Sequence, residues 1–111
     1  MHNKKVFNKL VRDNIPEIIS KKGGESEIRI LEDAEYADLL NKKLMEECDE
    51  VIEADDTESK KEELADVLEV LHAIAKSNKI DFEEVEAERV HKKEKRGGFE
   101  KKIFLKTVTN G

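Results

Sequence analysis

Apolar residues recur at helical spacing over long stretches of the chain. Leu40, Leu44, Cys48 and Val51 fall three and four apart, which predicts an amphipathic helix from about Asp33, a candidate cap, to Ala54. Leu64, Val67, Leu68, Val70, Leu71, Ile74 and Ala75 form a broad apolar arc and predict a second helix reaching about Lys76. Ser59-x-x-Glu62 has the form of a capping box at its start. Asp81-x-x-Glu84 repeats that logic for a third long helix, which ends near Arg96 at Gly97-Gly98. Ahead of these lies a short helix, capped by Asp13 or Asn14, with Pro16 in its first turn and Gly23-Gly24 at its end. Short connections favour antiparallel neighbours, so the expected fold is mainly α, an up-and-down helical bundle.

Two segments follow another period. Glu25 to Leu31 alternates, with Ile28 and Ile30 on one side, and residues 103–108 are rich in strand formers. A small two-stranded sheet that pins the chain ends against the helices is expected from them.

At 111 residues the chain is expected to be one domain, 1–111. Charged residues make up 43% of it, and its aromatics are four Phe and one Tyr, so large side chains for a core are few. Helical chains of that kind complete their cores by self-association, and a homodimer or homotetramer is expected. The single Cys48 excludes an intrachain disulfide framework, suits a reducing cytoplasm, and sits on the apolar stripe as a small core residue. No signal-peptide pattern opens the chain and no apolar run approaches about 18 residues, so a soluble intracellular protein without a membrane partner is expected.

Net charge is −6, which argues against a general nucleic-acid binder, because phosphate neutralisation supplies most non-specific affinity. The charge is uneven, however. Residues 46–69 carry twelve acids and two lysines, whereas residues 92–106 carry seven Lys/Arg and two Glu. An acidic segment beside a basic one suits a ligand that brings both a metal and phosphates; it equally suits solubility alone.

The acids are arranged as Glu46-Glu47-x-x-Glu50, a twelve-residue gap, then Glu63-x-x-Asp66. Residues three apart lie within roughly 60° of each other on a helix. Glu63 falls inside the apolar arc, in line with Val67, Val70 and Ile74; Asp66 lies at its edge, and Glu47 sits on the shoulder of the preceding stripe. Packing the two stripes together would gather four carboxylates at a helix–helix seam, where they need protons, basic partners or a cation. Oxygen-only ligands suit a hard ion, Mg²⁺ or Mn²⁺. The competing reading is a solvated acidic face, the usual fate of a charge run.

Other sites are missing from the sequence. It holds no Gly-rich phosphate loop, no dinucleotide fingerprint and no Cys/His zinc spacing, and His2, His72 and His91 are not spaced as ligands. Lys9 and Arg12 precede the first helix and are placed to meet a phosphate at its start, although exposed basic residues commonly have no such role.

The split acidic pattern resembles the signature of the MazG-type all-α nucleoside triphosphate pyrophosphohydrolases, a superfamily that includes phosphoribosyl-ATP pyrophosphohydrolase and the dimeric dUTP and dCTP pyrophosphatases. The opening NKLVRDNIPEII and the late KKEKRGGFEKKI resemble its small phosphoribosyl-ATP pyrophosphohydrolase-like branch. The resemblance implies an oligomeric helical bundle that hydrolyses a nucleoside triphosphate to monophosphate and pyrophosphate. It implies Glu47, Glu50, Glu63 and Asp66 as Mg²⁺ ligands, and Glu46 as a residue that positions or deprotonates water or binds a further metal. It also implies Lys9, Arg12, Lys93 and Arg96 as phosphate contacts. Either Glu46 or Glu50 is the base. The pathway stays open between nucleotide-pool housecleaning and the phosphoribosyl-ATP step of histidine biosynthesis, and Tyr36, Phe82 and Phe99 are candidates to stack on a base. A non-catalytic helical module that uses its acidic face to hold a basic partner is the alternative from another class.

Overall fold

The computed structural model describes residues 4–110, so His2 lies outside the described residues. Four helices follow in order, α1 (Ile15–Lys21), α2 (Asp33–Glu53), α3 (Thr57–Ser77) and α4 (Phe82–Arg96), and the chain is mainly α as its periodicity predicts. Pro16 lies in the first turn of α1, where a missing N–H costs nothing. The helix closes on Gly23, whose φ of +88° favours glycine, with the Gly23 N–H on the Ser20 carbonyl and the Gly24 N–H on the Ile19 carbonyl.

The hairpin of α2 and α3 is the body of the molecule. Only residues 54–56 separate the two helices, which makes them antiparallel neighbours. Asp56, not Ser59, caps α3: its Oδ1 accepts from the Ser59 N–H at 2.8 Å and its Oδ2 from the Ser59 hydroxyl at 2.9 Å. The extended backbone of Asp56 makes it the cap in place of Ser59 and adds three residues, 57–59, to the helix. On the far side of the turn, the Lys60 ammonium donates to the Val51 carbonyl and latches the first turn of α3 to the end of α2. Leu40 of α2 and Val70 and Ala75 of α3 are buried, and so is one charged residue, Glu47.

Asp81 caps α4 by accepting from the Glu83 N–H at 3.1 Å. The turn before it is fixed by the Ile80 N–H on the Ala75 carbonyl and by His72 stacked on Phe82, with ring centroids 3.6 Å apart. Gly97, at φ +83°, follows the end of the helix.

Two further expectations do not survive. No strand forms among the described residues: Ile28 and Ile30 are exposed, as are Ile103, Phe104, Leu105 and Val108 at the other end. Alternation and strand propensity give a segment an extended habit, but a ladder needs a neighbouring edge, and the single chain supplies none. Cys48 is exposed rather than in the core, because the α2 stripe is covered by α3 on only one flank.

The chain is long for its mass. Its radius of gyration is 19.1 Å, against about 13 Å for a compact domain of this length. Its accessible surface is 10613 Å², against about 6,300 Å² for a folded monomer of this mass. Leu64, Leu68 and Leu71, one half of the α3 arc, stay exposed while Val70 on the other half is buried.

Candidate metal centre

The antiparallel register of the hairpin decides which acids meet. Glu47 and Glu50 lie within the last two turns of α2, and Glu63 and Asp66 lie in the second and third turns of α3. Folding about residues 54–56 therefore sets the two i, i+3 pairs opposite one another. One carboxylate oxygen from each of the four lies within 4.8 Å of all the others. Glu46 is not part of this tetrad; its side chain is turned to the neighbouring cavity, one helical turn from Glu50.

The environment of the tetrad is graded. The Glu47 side chain is 10% exposed, Glu63 and Asp66 are half-buried, and Glu50 is open to solvent. Glu47 Oε2 and Glu63 Oε2 are buried with no hydrogen-bond partner. Burial, before the nearby Glu50, pushes the Glu47 carboxyl above the usual range. Glu50 is also raised, first by its hydrogen bond with Glu63. Four acids in one place are compatible only if protons or cations offset their charge.

Two basic side chains already offset part of it. Lys43 lies 3.5 Å from Glu47 and 3.8 Å from Glu46. On the opposite flank, Arg12 Nη2 donates to Asp66 Oδ1 at 2.6 Å, across 54 residues of sequence.

The set fits a hard divalent ion. All four donors are carboxylate oxygens, and Glu47 and Glu63 each hold a buried oxygen without a partner. The Mg–O distance of about 2.0–2.1 Å puts opposite ligands about 4.1 Å apart, within a small side-chain adjustment of the observed spread. The open side at Glu50 leaves coordination positions for oxygens from outside the chain.

Beside the tetrad, a cavity of about 110 Å³ lies between residues 7–10 and the α2 residues Leu39, Lys42, Lys43 and Glu46. Lys9 lines it, with its ammonium 5.6 Å from the centroid of the Phe7 ring. Of the four basic residues implicated by sequence, Lys9 and Arg12 thus stand beside the acids. Lys93 and Arg96 occupy the last turn of α4, and among the described residues no ion pair joins either to the cluster. Lys42 and Lys43 escaped the sequence reading. For Lys43 the signal was present, since it stands three and four residues before Glu46 and Glu47. Of the aromatic candidates, Phe82 is stacked on His72 and Phe99 is 97% exposed.

No helix is long and apolar enough to cross a membrane among the described residues. Comparison with curated proteins and with solved structures finds no match. The profile of the MazG nucleotide pyrophosphohydrolase domain matches residues 35–98, a span that holds all but the first two residues of α2, the whole of α3 and α4, and all four acids of the tetrad. The chain belongs to the MazG nucleotide pyrophosphohydrolase family, hydrolases that act on phosphoric anhydrides.

Proposed function

We propose that the protein hydrolyses a nucleoside triphosphate to the monophosphate and pyrophosphate, with Mg²⁺ as its ion and Mn²⁺ as a substitute. The carrying observation is Glu47, a buried carboxylate with an unpartnered oxygen among three further acids. A solvated acidic face, or a module that holds a basic partner, gives no reason to bury that group.

In this reading Glu47, Glu50, Glu63 and Asp66 hold the ion. Such an ion neutralises phosphate oxygens and lowers the pKa of bound water. The chain's own residues do the rest. Glu46 and Glu50 stand one turn apart on the open side of the tetrad, where a carboxylate can orient a water and accept its proton. Glu46 is free of the tetrad, so its loss is expected to slow turnover with metal affinity retained. Lys9, at the cavity, and Arg12, beside Asp66, are within reach of phosphates held over the acids and would stabilise the charge that moves onto the leaving pyrophosphate. Lys93 and Arg96 serve the same purpose once another copy of the chain brings them near.

A homo-oligomer is part of the proposal. The large accessible surface and the exposed Leu64, Leu68 and Leu71 support it, since a single chain leaves half of its α3 arc in water. The setting we propose is nucleotide-pool housecleaning in the cytoplasm; phosphoribosyl-ATP is the named alternative.

The test is pyrophosphate release from a panel of nucleoside triphosphates and phosphoribosyl-ATP, with Mg²⁺ and with EDTA, beside Glu47→Gln. Release that needs the metal and vanishes in the variant supports the proposal and ranks the substrates. A folded, Mg²⁺-binding protein that releases none from any of them contradicts it.

A further inference from the structure

The Arg12–Asp66 pair joins the N-terminal segment to the metal tetrad, and its geometry is that of a temporary partner. Arg12 uses one of its five N–H donors, Nη2, on one oxygen of Asp66. Its side chain is 57% exposed and that of Asp66 is 38% exposed. The backbone around it is fixed: the Ile15 N–H donates to the Arg12 carbonyl at 3.1 Å, and residues 7–10 line the cavity against α2. The guanidinium can therefore swing while its Cα stays in place.

Charge supplies the reason to swing. Lys43 and Arg12 flank the four carboxylates and leave a formal charge of −2. One divalent ion satisfies that charge. Once Asp66 serves the ion, a guanidinium beside it is left with repulsion from the cation and a weakened acceptor. A triphosphate held at the open side then offers what Arg12 has lost, a polyanion with oxygens spaced for a two-pronged fork.

We propose that Arg12 is a resident stand-in for the metal at Asp66, released by metal binding and handed to the substrate's phosphates. This rests on the metal-dependent reading above. The consequence is coupling: metal and nucleotide each weaken the hold of Arg12 on Asp66, so each strengthens binding of the other. Arg12 is then both a brake on the metal-free site and a phosphate contact of the loaded one. Lysine does not replace it, because a point charge lacks the fork.

The full chain, labelled with ¹⁵N at arginine, is followed by NMR while Mg²⁺ is added without nucleotide. The Arg12 side-chain resonance is expected to move on saturation, while that of Arg29, ion-paired with Glu35 at the start of α2, stays in place. Mn²⁺ titration of Arg12→Gln is expected to show binding tighter than wild type by up to about fivefold, the ceiling for an exposed ion pair. Arg29→Gln is expected to match wild type. An Arg12 resonance unmoved at saturating Mg²⁺, or Arg12→Gln binding Mn²⁺ no more tightly than Arg29→Gln, overturns the exchange and leaves the metal site standing. Failure of the wild-type chain to bind either ion overturns the exchange and the metal-dependent reading together.

Discussion

Glu50 of α2 and Glu63 of α3 face each other across the hairpin seam, close enough that a hydrogen bond between the two carboxyls keeps Glu50 protonated to higher pH than an isolated glutamate. Glu47 is raised beside them, by burial first and by Glu50 second. The metal-free cluster is therefore a repulsive knot that the fold tolerates. Sites of this kind give up stability for function, and the cost is readable in experiments.

The first expectation concerns pH. A carboxyl whose pKa is higher in the folded chain than in the unfolded one binds more protons when folded, between the two values. Stability from that group is present below the unfolded pKa and is lost as pH rises through the folded pKa. Glu50→Gln removes one such group. Without metal, its Tm is expected to exceed that of wild type by a few degrees at neutral pH, with the gap shrinking toward about pH 4. A thermal melt series in EDTA checks this, and equal gaps at both ends would contradict it.

Metal reverses the sign. In saturating Mg²⁺ the wild-type Tm is expected to rise and that of Glu63→Gln to rise far less. At an ion concentration of about 100 times Kd, linkage gives about 2.7 kcal/mol. Removal of a ligand carboxylate is expected to weaken Mn²⁺ binding at least about tenfold, since even partners one shell further out cost that much. Calorimetric titration of Glu47→Gln, Glu63→Gln and Asp66→Asn measures it.

Glu46 separates chemistry from binding. Glu46→Gln is expected to keep the Mn²⁺ affinity of wild type and to lower kcat by about 10²-fold or more, the usual contribution of a positioned base. Glu50→Gln is expected to lose both. The same titration beside steady-state kinetics distinguishes them, and a Glu46→Gln protein with wild-type kcat would assign the base to Glu50.

The hairpin turn carries the register that brings the acids together. Asp56→Ala removes the cap of α3 and is expected to lower the Tm by a few degrees. Lys60→Met removes the latch to Val51 with most of the side-chain volume kept. If register depends on this latch, the variant loses Mn²⁺ affinity as well as stability. Loss of stability alone would show that the helix–helix seam sets the register unaided.

Self-association is tested on the open half of the α3 arc. Leu68→Glu places a charge among Leu64 and Leu71 and is expected to convert an oligomer to monomer in light scattering, with a lower Tm. An unchanged mass would move the interface elsewhere.

Much of this was legible in the sequence, for a physical reason. Helical period and the i, i+3 spacing are local, and a short connection between two helices fixes which residues meet, so the tetrad follows from Glu47, Glu50, Glu63 and Asp66 alone. The cap of α3 lies three residues before the Ser59-x-x-Glu62 pattern, at Asp56, because a capping motif does not show which residue has the extended backbone a cap needs. The expected sheet failed because strand habit is local while strand pairing is not. Cys48 was misplaced because a stripe shows which side is apolar but not how much of it a neighbour covers. The Arg12–Asp66 pair lies beyond any periodicity, since it joins residues 54 positions apart.

We propose a metal-dependent pyrophosphohydrolase built on the α2–α3 tetrad. Its most direct test is the stoichiometry of products from a nucleoside triphosphate in Mg²⁺, wild type against Glu47→Gln. Equimolar monophosphate and pyrophosphate are expected from wild type, none in EDTA, and a loss of at least about 10²-fold in the folded variant. Release of inorganic phosphate and the nucleoside diphosphate instead, or undiminished turnover by Glu47→Gln, would contradict it.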